Sequence, residues 1–225
     1  PQWKRITQLL LKAKYPSRKP ELNVLDLKAG ISALLTGEQQ LKQLASNYGT
    51  AYLLKQMQKI FHQSHNLIEQ FRRKNEGQIY QATEKLDDGN IIQVKIHIQK
   101  NQMVFDFSGT SSQHPGNLNA NPSIVQSVLL YILRLLCDRD ISLNEGLMSS
   151  IKIIQPHSFI HPSFNQDDRL SPAVVGGNTE VSQRLTDTLI KAFGLSACSQ
   201  GTMNNFLFGN DRYSYYETIG GGAGA

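Results

Sequence analysis

The chain is predicted to be an α+β protein: a helical N-terminal segment, an antiparallel β-meander, then mixed helices and strands around one core. Three observations carry this. From residue 22 to about 76, apolar side chains recur every three or four positions, the helical period. At Gly77 the period changes to two and stays there as far as Phe107. Beyond Phe107, apolar stripes of helical spacing alternate with short β-branched runs and Gly- and Asn-rich turns. Residues 1–76 are therefore expected to form a helical segment and residues 77–225 an α+β core region. Both are expected to be parts of one larger domain cut at each end, because the chain opens on Pro1 and closes on "YYETIGGGAGA".

Taken in order, "DLKAGISALLTGEQQLKQLASNYG" holds two apolar-periodic runs that separate near Thr36-Gly37, with Gly49 closing the second. Leu53, Met57, Ile60, Phe61, Leu67, Ile68 and Phe71 then fall on one face of a longer helix that Gly77 stops. Ile92, Val94, Ile96 and Ile98 alternate with polar residues, as do Met103, Phe105 and Phe107. Turn signals at Asp88-Gly89 and Lys100-Asn101 divide this stretch into a three-stranded meander with one buried face. In "NPSIVQSVLLYILRLL", Asn121 can cap a helix whose first turn accepts Pro122, and apolar residues on most of its girth make it central. "SIKIIQP" reads as a strand and "PAVV" as another, broken by Gly176-Gly177. Asn178 or Thr179 can cap a following helix whose core stripe is Val181, Leu185, Leu189 and Phe193, ended by Gly194. The remainder mixes short strands with turns.

Composition narrows the function. An apolar fraction of 40% suits a packed globular chain rather than a disordered one. The net charge of +5 is spread rather than gathered, so it reads as solvated surface, and no nucleic-acid partner is expected. The most apolar run contains Gln126 and Arg134 and is too short for a bilayer, so no membrane association is expected. Cys137 and Cys198 belong to no CxxC pattern; with no visible signal peptide, a cytoplasmic location is the simplest expectation.

Three polar constellations stand out. In "VGGNTEVSQR", Gly176, Gly177, Asn178 and Glu180 open a helix whose N-terminal N–H groups would suit an anion or developing oxyanion. On that helix Glu180, Gln183, Arg184 and Asp187 cluster opposite the core stripe; from composition alone, capping and a surface Glu180–Arg184 pair are the simpler explanation. The loop "SGTSSQHPGNLNANP" presents Ser108, Thr110, Asn117 and Asn119 on a rigid scaffold, with His114 as its best-placed acid–base candidate, or else simply makes its own turns. "SQGTMNN" brings Gln200, Thr202 and Asn204 beside bulky apolar residues, as a buried polar network would. His62 and His65, three apart on a helix, could begin a metal site but lack an obvious carboxylate.

These stretches, with "FDFSGTSSQHPGNLNANPSIVQSVLLYILRLL", "DISLNEGLMSSIKIIQP" and "YYETIGGGAGA", together resemble the hydantoinase B/5-oxoprolinase family in content and order. A weaker similarity extends over residues 22–105. The resemblance implies ATP-dependent opening of a small-molecule cyclic amide such as 5-oxoproline or a hydantoin, in an oligomer with a hydantoinase A-type ATPase, separate or fused. ATP and Mg would act through that ATPase, which phosphorylates the lactam oxygen; the present subunit would complete ring opening with water. Acetone carboxylase, a related branch, offers ATP-dependent carboxylation as the alternative, and a non-catalytic assembly fragment is the other. The family's His- and Asp-bearing metal motifs lie N-terminal to the matched region. A divalent metal is accordingly expected outside this chain and none within it, and the chain alone is expected to be inactive. The resemblance implies a site wall from Gly176, Gly177, Asn178 and Glu180, and a polar lining from Arg184, Ser108, Thr110, Asn117, Asn119, Gln200, Thr202 and Asn204. It assigns no nucleophile. The segment "HSFIHPSFNQDDRLSPAVV" is longer and more charged than the family's linker.

Overall fold

The computed structural model describes residues 1–12, 16–137, 139–165, 167, 170–198, 200–202 and 204–222, the Asn204 side chain excepted. It has two compact units, Pro1–Lys59 and Ile60–Ala225. Their boundary lies within a helix and does not coincide with the change of periodicity at Gly77.

The first unit is helical. Helix α1 spans Trp3–Lys12, α2 spans Pro20–Tyr48, and α3 begins at Thr50 and continues to Lys74. α1 was not apparent from the periodicity and buries no residue; the Lys28 ammonium of α2 sits 5.5 Å from the centre of its Trp3 ring. The break expected near Thr36-Gly37 is absent. α2 runs through it, with the Thr36 hydroxyl donating back to Ser32 O at 3.0 Å. A glycine inside a long helix costs only about 1 kcal/mol relative to alanine, which the flanking turns absorb. The break comes instead at Gly49, whose φ of 84° favours glycine.

The second unit contains the core. Strands β1 (Ile79–Lys85), β2 (Ile91–Ile98) and β3 (Met103–Asp106) form the expected antiparallel meander, and β4 (Ile151–Ile154) adds in parallel beside β3. The period-two pattern places Ile92, Val94, Ile96 and Ile98 on one wholly buried face, with Met103 and Phe105 continuing it. Against this face pack α4 (Pro122–Leu136) and α5 (Glu180–Phe193). Val125, Leu129, Ile132 and Leu133 of α4 meet Val181, Leu185 and Leu189 of α5 in one cluster. Asn121 caps α4 as expected, its side chain accepting from Ile124 N, and Gly194 ends α5 in the left-handed conformation.

The C-terminal part of α3 closes this core. Ile68 is fully buried, and Arg72, though charged, is 5% exposed. Its guanidinium donates to both Glu69 oxygens at 2.8–2.9 Å and to Gln99 O at 2.9 Å, tying the helix to the β2–β3 turn. The expected apolar face of α3 is only partly buried, because Met57, Ile60 and Phe61 remain substantially exposed.

Two expectations near the C-terminus differ from the structure. "PAVV" is not a strand; Val175–Asn178 form one turn of 3-10 helix. Strands β5 (Asn204–Gly209) and β6 (Ser214–Ile219) pair as a separate antiparallel hairpin, and the described part of it is exposed throughout. Of the residues expected in a buried polar network, Gln200 is exposed and Thr202 half-buried, both before the hairpin; on the hairpin, Thr218 Oγ1 donates to the exposed Asn205 Oδ1 at 3.1 Å. Among the described residues, no helix is long and apolar enough to cross a membrane.

Candidate functional site

The Gly-Gly step is a packing device before it is anything else. A Cβ on Gly177 would meet Asn119 O and would lie 2.7 Å from Ala120 Cα; one on Gly176 would lie 2.7 Å from Leu118 Cδ2. No larger residue fits while the 117–120 loop lies this close. Three of the N–H groups at this turn are used internally. Gly176 N donates to Asn117 O (2.9 Å), Gly177 N to Val174 O (3.0 Å) and Thr179 N to Gly176 O (3.4 Å). Neither Asn178 nor Thr179 caps α5 through its side chain, and Asn178 is exposed.

The polar loop is equally committed to itself. Asn119 is fully buried, accepts from His114 N at 2.8 Å, and donates to His114 O, Gly116 O and Ala173 O at 3.0 Å each. Thr110 bonds both the N–H and the carbonyl of Gln93 at 3.2 Å, extending the edge of β2. Ser108 N donates to Asp106 Oδ1 at 2.9 Å, turning the chain out of β3. His114 is locked at both nitrogens: Nδ1 accepts from Gly116 N at 2.8 Å, and Nε2 meets Asp88 Oδ2 at 2.7 Å. Since Nδ1 accepts, the proton sits on Nε2 and is donated to Asp88. The ring thus fastens the loop to the β1–β2 turn and has no nitrogen free for acid–base work. Asp88 is itself held below the usual carboxylate range, chiefly by the Asn90 N–H and side-chain amide, with His114 contributing less.

What the fold brings together is the polar face of α5 and the segment after it. Glu180, Gln183, Arg184 and Asp187 form one wall of a cleft of about 400 Å³; Gln200, Gly201 and Thr202 form another; Asp87 from the β1–β2 turn and Cys198 complete the lining. The Gln183 carboxamide occupies the space that a Cβ on Gly201 would need, so a larger residue there would displace it. Gly221 in turn lies against Gln200, where a Cβ would come within 2.6 Å of the Gln200 Cβ. Gln183 Nε2 donates to Asp187 Oδ1 at 3.1 Å, and the Arg184 guanidinium lies 4.0 Å from Asp187 Oδ2. Asp187 is 4% exposed at the cleft floor, whereas Arg184 retains 38% of its side-chain exposure. The Cys198 thiol is pushed up, first by desolvation and then by the Asp187 and Glu84 charges, so it is a neutral thiol at pH 7.

Of the residues singled out from the sequence, the cleft gathers Glu180, Arg184, Gln200 and Thr202. Gly176, Gly177, Asn117 and Asn119 meet one another in the packing step beside α5, and Ser108 and Thr110 serve the strand ends. Asn204 contributes its backbone to β5; its side chain lies outside the described atoms. Asp87 was missed. Its Asp-Asp-Gly context carries a turn signal, and nothing local indicates that the turn folds over α5.

His62 and His65 gather no metal shell. The His65 ring bonds Ser149 Oγ at 2.6 Å, and among the described residues no three His, Cys, Asp or Glu side chains converge as a metal would require.

Comparison with known proteins places this geometry. The family model described as Hydantoinase B/oxoprolinase matches residues 2–225. The 5-oxoprolinase of Saccharomyces cerevisiae is 38% identical over 235 residues, covering 94% of this chain and 18% of that protein. 5-oxoprolinase 1 of Arabidopsis thaliana is 36% identical over 226 residues, covering 93% of this chain and 17% of that protein. The chain thus spans under a fifth of the length of these relatives. Among solved structures, the ATP-dependent caprolactamase from Pseudomonas jessenii shares the fold, with a TM-score of 0.69 over 97% of this chain and 38% of the other, at 17% identity.

Proposed function

The chain belongs to the hydantoinase B/oxoprolinase family, and from that premise we propose that it forms part of an ATP-dependent amidohydrolase that opens a cyclic amide such as 5-oxoproline or a hydantoin. The observation that carries this reading is the cleft between α5 and Gln200–Thr202, where two separate sequence motifs meet around concentrated polar and charged groups. Relatives that carry the 5-oxoprolinase name over nearly the whole chain supply the substrate class.

The chemistry divides sensibly. An amide carbonyl is a poor electrophile. Transfer of a phosphoryl group from ATP to the lactam oxygen, by a hydantoinase A-type ATPase, makes the ring carbon electrophilic and supplies a leaving group. Water then adds to that carbon, the C–N bond breaks to leave an acyl phosphate and a free amine, and a second water releases phosphate and the carboxylate. The tasks left to this chain are orientation and charge stabilisation. Gln200 and Thr202 offer an amide and a hydroxyl to position water or substrate. Arg184, above the buried Asp187, offers a fixed positive group.

The test is lactam-dependent ATP consumption by this chain mixed with a hydantoinase A-type ATPase, with 5-oxoproline and hydantoin as substrates. Stimulation by lactam, with matching release of the ring-opened acid, supports the reading. Stimulation only in the presence of bicarbonate would indicate the carboxylase branch instead. Association without turnover would favour an assembly role, a second reading supported by the hairpin, or a need for parts that lie outside this chain. Its Phe206, Leu207, Phe208, Tyr216 and Ile219 are 47–67% exposed, and an isolated two-stranded hairpin is marginal in water.

A further inference from the structure

We infer that the α5 cleft is built to hold the ring-opened product of a lactam, an amino acid with an ammonium and a carboxylate, rather than the closed ring. The inference rests on the hydrolase reading for the identity of that product, but its argument is electrostatic. Hydrolysis of a lactam such as 5-oxoproline adds the elements of water across the C–N bond. The acyl carbon keeps both oxygens as a carboxylate, and the nitrogen takes up protons to become an ammonium. Ring opening thereby adds one charge of each sign to the molecule.

The lining matches the second species. Arg184 presents a half-exposed guanidinium whose nearest charged neighbour, Asp187, is 4.0 Å away, beyond a good hydrogen bond. A guanidinium so placed can receive a carboxylate through two parallel N–H donors. Glu180 and Asp87 line the same cleft, Glu180 one helical turn before Arg184 and Asp87 on the β1–β2 turn. Among the described residues, neither has an ion-pair partner or a side-chain hydrogen bond. They are available to an ammonium while Arg184 takes the carboxylate. A closed lactam ring offers one carbonyl and one N–H but no ammonium, so seated here it would cover Glu180 and Asp87 without pairing their charges, which is unfavourable. Gln183 is held by Asp187 on one wall and lies against Gly201 of the other.

Titration calorimetry and NMR on this chain test the inference with two matched pairs of probes: glutamate against 5-oxoproline, and 6-aminohexanoate against caprolactam. The amino acid of at least one pair is expected to bind at least about tenfold more tightly than its lactam, shifting α5 amides and the Arg184 side-chain resonance. Arg184→Gln should weaken that binding by about tenfold or more, the scale of one charge-assisted hydrogen bond. The double variant Glu180→Gln/Asp87→Asn should weaken it similarly, and circular dichroism should show both variants folded. Equal affinity within both pairs overturns the inference. So does no binding of either amino acid, or binding indifferent to both variants. The two readings fail separately. Amino-acid binding without lactam-dependent ATP consumption by the full-length protein that contains this chain, beside the ATPase, would sink the hydrolase reading and leave the cleft assignment standing. Turnover without amino-acid binding in the cleft would do the reverse.

Discussion

Replacing Gly177 by alanine tests the central packing claim, because one methyl group is set against backbone on the facing side. The new Cβ would lie 2.7 Å from Ala120 Cα and 3.0 Å from the Asn119 carbonyl carbon, and nearer still to Asn119 O. Carbon atoms are comfortable at about 3.5–4.0 Å, so the 117–120 loop must withdraw by roughly 1 Å. It cannot do so freely. Ala120 N is bonded to Phe159 O at 2.7 Å, Gly176 N to Asn117 O at 2.9 Å, and buried Asn119 makes four further bonds. Losing one or two of these at about 1 kcal/mol each, on top of overpacking, gives a destabilisation of about 2–4 kcal/mol. Urea denaturation of wild type and Gly177→Ala measures it. The midpoint should fall with the slope unchanged, and new exchange-labile amides should appear at Gly176 and Ala120. A change below about 0.5 kcal/mol would mean that the loop is not held against the glycines, and the account of the Gly-Gly step would be wrong.

Four further outcomes follow from the same structure. Gly30 and Gly37 of α2 have nothing within 4 Å of a Cβ, so the identical substitution there should stabilise the helix by about 0.5–1 kcal/mol, read as a later loss of far-UV ellipticity on heating. Glu69 is held at about 2, well below its ordinary 4.5, first by the Arg72 hydrogen bonds. Its stabilisation is therefore complete above pH 4.5 and lost as pH falls from there towards 2. Glu69→Gln should lower stability at pH 7 by on the order of 3 kcal/mol and by far less near pH 2; a pH-independent difference would refute the pairing. Nitrogen-15 shifts of His114 should report the Nε2–H tautomer, and an Nδ1–H signal would contradict the Gly116 bond. Cys198, exposed but with its thiol pushed up, should react with iodoacetamide slowly at pH 7 and markedly faster above pH 9; fast labelling at neutral pH would show a thiolate that this environment does not support.

The parts of the fold legible in the sequence were those where a repeating pattern meets one consistent environment. Ile92 to Ile98 alternate because one face of β2 is buried, and Val181, Leu185 and Leu189 recur because α5 lies against that face. Legibility failed where pattern and environment part. The leucines of α1 and α2 look like core, yet neither helix has a buried residue in this chain. Phe206 and Phe208 look like core and stand on an exposed hairpin. "PAVV" has strand composition, but the approach of the 117–120 loop curls its end into a 3-10 turn, a tertiary event with no local trace. For the site, spacing alone put Glu180, Gln183, Arg184 and Asp187 on one helical face. That Gln200 to Thr202 would fold back over this face, and Asp87 reach it from a turn roughly a hundred residues earlier, depends on contacts that no periodicity encodes.

The arrangement separates two jobs that the "VGGNTEVSQR" stretch seemed to combine. Its first half is structural. The glycines admit the loop, their N–H groups bond to the chain itself, and the start of α5 is fixed against the core. Its second half is chemical. Glu180 and Arg184 stand one turn apart on the face that looks into the cleft, with Asp187 and Gln183 beneath them. A helix presents side chains at fixed angles from its start, so moving that start by one residue would rotate every one of them by about 100°. The close approach at Gly176-Gly177 is what prevents such a shift. The glycines therefore act on the site without touching a ligand: they set the rotation of α5, and that rotation determines which charges face the cleft.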